Sequence, residues 1–168
     1  MDFKIKNWRR YFIVSLIVLS LVACNSLTLI SDYDEATDKY LTSLQQSVSS
    51  LIDTLEQFSG TEAAAFAKHQ KMYDLLDSQI KKLEFRVSAI PKNDQTITIV
   101  KTIRLTILGS EDSSQAKSSL KDLHCLNDHN RNYGLSKAVL EVCRRNIDQT
   151  ISAALTLELE KKTGKKTQ

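Results

Sequence analysis

Three cysteines and three histidines are the side chains of this 168-residue chain best suited to chemistry: Cys24, Cys125, Cys143, His69, His124 and His129. A thiolate is the strongest side-chain nucleophile near neutral pH, and thiols and imidazoles are the usual ligands of zinc. Cys125 and Cys143 flank the polar stretch 127–134 (NDHNRNYG). In a helical hairpin closed by that stretch the two thiols can face each other, and a disulfide there would add about 3 kcal/mol. The disulfide is the expected state; two buried thiols, or a redox or metal role, are the alternatives. No metal is expected on His124, Cys125, His129 and Cys143, because zinc modules use paired short spacings such as C-x₂-C. His69 stands on an apolar seam between Phe66 and Tyr73, which predicts a hydrogen-bonded core histidine. No Glu-x-x-His pair supports di-iron chemistry. The acidic group Asp32, Asp34, Glu35 and Asp38 suits a helix N-terminus better than calcium, which favours an oxygen-rich loop with glycine. The chain has no Gly-rich phosphate loop, no G-x-S-x-G elbow and no H-E-x-x-H. No catalytic residue and no cofactor are expected.

Cys24 has a different context. Residues 1–10 carry Lys4, Lys6, Arg9 and Arg10 against Asp2 alone, and 11 of the 13 residues 11–23 (YFIVSLIVLSLVA) are apolar. A basic segment followed by an apolar run of about 7–15 residues is the pattern of a secretory signal. A membrane-spanning anchor, which needs roughly 20 apolar residues, is the alternative. The run ends in Leu21-Val22-Ala23-Cys24, which resembles the lipobox of bacterial lipoprotein precursors. That resemblance implies a diacylglycerol on the Cys24 thiol and cleavage between Ala23 and Cys24. Two or three acyl chains, at about 0.8 kcal/mol per buried CH₂, hold a protein to a bilayer where one chain does not. Asn25, where Asp would resemble an inner-membrane retention signal, implies the outer membrane, facing the periplasm.

Removing the signal changes the charge. Residues 1–23 hold four of the 23 Lys/Arg and one of the 20 Asp/Glu, which leaves 19 of each and a neutral mature chain. The formal +3 therefore gives no argument for a nucleic-acid partner.

The elements that would carry these residues read as helices. Only 4 Gly and 1 Pro punctuate the sequence. Ser31 or Asp32 is a candidate N-cap for a helix whose seam runs Thr37, Leu41, Leu44, Val48, Leu51, Leu55, Phe58, a heptad pattern. Ser59-Gly60 ends it. A second seam follows: Phe66, His69, Tyr73, Leu76, Ile80, Leu83, Val87, Ile90, with Pro91 as the stop. Residues 94–108 are β-branched enough to suit a strand. They also present Ile97, Val100, Arg104 and Ile107 on one helical face behind Asn93 or Asp94, and helix is the expected form. A short helix is expected over 113–126, and a last long one over 135–162 with Leu140, Cys143, Ile147, Ile151, Leu155 and Leu159 inward. The expected fold class is all-α, an antiparallel helical bundle of long heptad-patterned helices. Its domain order is signal peptide 1–23, lipidated tether 24–31, bundle 32–162 and basic tail 163–168.

The segments Ile30-Ser-Asp-Tyr-Asp-Glu-Ala-Thr-Asp38, Ala89-Ile-Pro-Lys-Asn93 and Leu157-Glu-Leu-Glu-Lys-Lys162 resemble a family of small bacterial helical proteins, often lipoproteins, without an assigned activity. The resemblance implies an all-helical bundle and carries no catalytic residue. The expected function is that of a lipid-anchored, non-catalytic interaction or structural module of the cell envelope. Its partners would be the membrane, through the lipid on Cys24, and an envelope protein; surplus seam surface would also permit oligomers. The rivals are an exclusion or immunity lipoprotein that blocks a receptor, mating channel or toxin, and a metal- or redox-active protein using Cys125, Cys143 and the nearby histidines.

Overall fold

The computed structural model describes residues 30–110, 112, 117–129 and 134–164. Ala23, Cys24 and the rest of the lipobox segment lie outside these residues, as do 130–133 and 165–168. Every regular element among the described residues is helical: α1 (Glu35–Phe58), a short 3-10 turn (Glu62–Ala64), α2 (Phe66–Ser88), α3 (Asp94–Ile107), α4 (Leu120–His129) and α5 (Lys137–Gly164). The ambiguous stretch 94–108 is thus helix, not strand. Once the branched residues Ile103 and Ile107 gain a packed face, burial outweighs their weak helix propensity.

The cap of α1 is Asp34, not Ser31 or Asp32. Its carboxylate accepts from the Thr37 N–H at 2.9 Å and the Thr37 hydroxyl at 2.6 Å. Ser31 is drawn elsewhere: its N–H donates to Lys92 O at 3.0 Å and its hydroxyl to Asn93 Oδ1 at 2.8 Å. Lys92 sits at φ 59°, in the left-handed turn that separates α2 from α3. Helix α4 runs to His129, past the expected end at residue 126, and α5 runs from Lys137 to Gly164.

Helix α1 packs along α2 and α5, and α3 also packs along α2 and α5, while α4 lies against α2 and α3. The first seam is buried from Thr37 to Leu55, with Ile52 added, but Phe58 reaches the surface. The second is buried from His69 to Val87. In α3 the inward residues are Thr96, Val100, Ile103 and Ile107. The face is turned from the one expected, so Ile97 and Arg104 lie at its flank. Arg104 pairs there with Glu84 at 2.7 Å and Asp77 at 2.8 Å. In α5 the core face runs Leu140, Cys143, Ile147, Ile151, Ala154, Glu158. Leu155 is only partly buried, and Leu159 is 59% exposed while Glu158 is 1% exposed. A three-residue step from Ile151 to Ala154 turns the face from the one expected, and a charged residue takes the position that hydropathy assigned to a leucine.

Candidate functional site

Two buried polar clusters and one surface groove are where this fold gathers its chemically capable side chains. The first cluster is held by α2, α4, α5 and the 3-10 turn. Tyr73 and His124 are both fully buried, and His69 and Cys143 are each 8% exposed. His124 Nε2 lies 2.7 Å from Ala64 O, and a carbonyl only accepts, so Nε2 carries the proton. Nδ1 is then the acceptor for the Tyr73 hydroxyl at 2.9 Å. His69 Nε2 donates to the adjacent carbonyl, Ala63 O, at 2.9 Å. Phe66 closes the cluster, stacked on Tyr73 with ring centroids 5.4 Å apart and edge-on to His124 at 5.4 Å. Burial pushes the Tyr73 hydroxyl far above the usual phenol range, and the nearby Cys143 and Cys125 thiols add to the shift. Both ring nitrogens of His124 are engaged in hydrogen bonds. The two histidines fasten α2 and α4 to the 3-10 turn.

The expected disulfide is not formed: Cys125 and Cys143 are both thiols. Cys143 takes a core position of α5, and burial raises its thiol above the ordinary value. In α4 the inward position belongs to His124, leaving Cys125 one residue further round and only half-buried. Among the described residues no group of three or more His, Cys, Asp or Glu is placed to hold a metal ion. The side chain of His129 lies outside the described set.

The second cluster sits where Ser31, the α2–α3 turn and the end of α5 meet. Lys161 and Glu158 form a buried ion pair at 2.6 Å, their side chains 3% and 1% exposed. The ammonium also donates to Asn93 Oδ1 and Thr96 Oγ1, each at 2.8 Å. Glu158 accepts from the Thr96 hydroxyl at 3.1 Å and from the Asp34 N–H at 3.3 Å. Three donors and two acceptor oxygens are thereby matched, which is what lets two opposite charges survive burial. Hydropathy gave no sign of this network. The only signal in the sequence was Glu158 at a spacing that continues the seam from Ile151 and Ala154.

At the surface nearby, Arg86 grips Asp34 with two hydrogen bonds, Nε to Oδ2 at 2.9 Å and Nη2 to Oδ1 at 2.5 Å. These bonds, with those from Thr37, hold the Asp34 carboxyl well below the usual range. Beside them runs an open groove of about 680 Å³ between α1 and α2, lined by Tyr40, Asp77, Ser78, Lys81, Lys82, Phe85 and Arg86. Comparison of the chain with known protein families, curated proteins and solved structures finds no match.

Proposed function

We propose that the chain is a lipid-anchored envelope protein, attached through Cys24 and acting without catalysis as a helical interaction or structural module. The observation that carries this reading is Leu21-Val22-Ala23-Cys24 at the end of a basic and then apolar segment. No helix among the described residues is long and apolar enough to cross a membrane, so attachment in this reading rests on the segment up to Cys24. The body is read as an antiparallel four-helix bundle of α1, α2, α3 and α5. Support comes from three pairings: the cap of α1 with the end of α2 (Asp34 to Arg86), the end of α1 with the residues before α5 (Ser59 hydroxyl to Leu135 O, 2.8 Å), and the start of α3 with the end of α5 (Thr96 to Glu158). Two histidines bonded to backbone carbonyls and a self-neutralised Glu–Lys pair support a scaffold, since each spends its polar atoms on holding neighbouring elements together.

The proposed setting is the outer membrane, with the body facing the periplasm. The seven residues 25–31 span at most about 25 Å, so the body stays near the bilayer. Metabolic labelling with a palmitate analogue tests the reading. Wild-type protein should be labelled and shortened by the mass of residues 1–23. Cys24→Ser should be unlabelled and retain the signal. Unchanged maturation and membrane partition of that variant would overturn the proposal.

A further inference from the structure

We propose that the Tyr40–Phe85 groove is a second membrane contact, docking on an anionic lipid surface so that the body lies obliquely against the bilayer. The proposal rests on the anchored reading above. Phe85 is 81% exposed, the most exposed large apolar side chain among the described residues, and Tyr40, across the groove, is 43% exposed. Neither ring packs in the core. The polar lining is cationic: Lys81, Lys82 and Arg86 against the single carboxylate of Asp77. Lys81 pairs with Asp77 at 2.6 Å and Arg86 with Asp34, whereas Lys82 makes no ion pair among the described residues. Glu84, the acid nearest in sequence, is committed to Arg104 and does not line the groove. Aromatic rings flanked by lysines are the chemistry of a membrane interface, where the ring enters the headgroup boundary and the ammonium meets lipid phosphate.

Position agrees with chemistry. The Arg86–Asp34 pair sets Phe85 beside the cap of α1, three residues after Ser31. The tether from Cys24 is at most about 25 Å, so a lipid at Cys24 holds the groove within reach of the surface. Once tethered, the contact needs little intrinsic affinity, because the tether supplies a high effective concentration.

The sequence provides a probe. Its one tryptophan, Trp8, precedes the proposed cleavage site, so Phe85→Trp gives the mature chain a single reporter at the groove. A control, Leu75→Trp, stands 47% exposed on the same helix, ten residues or about 15 Å away. Each full-length variant is matured in cells and reconstituted in vesicles of zwitterionic lipid, with or without one-fifth phosphatidylglycerol, whose acyl chains are brominated. Expected on the anionic vesicles is Phe85→Trp quenching about threefold that of Leu75→Trp, reduced by Lys82→Glu in proportion to the roughly fivefold that one surface lysine contributes. Equal quenching of the two reporters in anchored protein overturns the docking face alone. Quenching that ignores lipid charge and Lys82→Glu overturns its electrostatic half. Protein that never joins the vesicles overturns the anchor and the docking face together.

Discussion

Tyr73 donates its hydroxyl to the Nδ1 atom of His124, and both residues are sealed from water. Tyr73→Phe removes the donor and leaves a buried acceptor bare. Such a loss costs about 1–3 kcal/mol, and urea unfolding should register it as a lower midpoint with an unchanged slope. A variant as stable as the parent would show that His124 finds another donor. Asp34 gives a prediction in pH. Its folded carboxyl titrates below the unfolded one, first because of the Arg86 hydrogen bonds. The contribution is therefore complete above the unfolded value, near pH 4, and is lost as pH falls toward the folded value. Arg86 is 46% exposed, and solvent screening at such a pair limits the effect to about 1 kcal/mol. Asp34→Asn should be less stable than the parent at pH 7, and the gap should narrow by pH 3; a constant gap would assign the effect to the cap geometry alone.

Helices α2 and α5 differ in how far their faces could be read from residue types. In α2 every inward position but one is apolar, and hydropathy spacing locates the face from Tyr73 to Val87. The exception, His69, was legible because its neighbours on the seam were apolar. In α5 the same spacing fails after Ile151, because Glu158 turns inward where Leu159 looks more suitable. Pattern reading scores a side chain by its own polarity. A buried carboxylate becomes acceptable only through Lys161, Thr96 and Asn93, and two of these come from a part of the chain more than 60 residues away. Likewise α3 was recognised as a helix, but its rotation was set by Arg104, whose acidic partners on α2 cannot be seen from local sequence. The Glu158–Lys161 pair predicts a non-additive cycle. Glu158→Leu and Lys161→Met should each cost about 3 kcal/mol or more by stranding the other charge. The double variant should cost clearly less than their sum, since it strands none. Additive losses in denaturant titrations would mean the two charges are stabilised separately. The junction before α5 makes a third demand. Gly134 has φ 73°, and a Cβ there would come within 2.5 Å of the Ala64 Cβ and 2.9 Å of the Ala64 carbonyl oxygen. Gly134→Ala must displace the 3-10 turn that both histidines hold, and a loss above about 1–2 kcal/mol with a lowered melting temperature is expected.

Over the whole molecule, all-α character was legible in the scarcity of Gly and Pro and in two heptad seams. The state of the cysteines was not, because α4 gives its inward position to His124, and that choice follows from Tyr73 and Ala64. Asn93 Oδ1 accepts from the Ser31 hydroxyl and from the Lys161 ammonium, each at 2.8 Å. The start and the end of the described body therefore meet on one side-chain oxygen. Such a layout has a mechanical meaning. Pulled from residues 31 and 164 in opposite directions, α1 and α5 would part from one end like a zipper instead of sliding past each other. The load would fall first on the bonds at Asn93 and Lys161, before any apolar layer is strained. In an optical trap, opening should begin with a small early rip, and Lys161→Met should lower that first force while leaving the later ones unchanged. The same charged knot that hydropathy overlooked thus serves as the clasp at the mouth of the zipper.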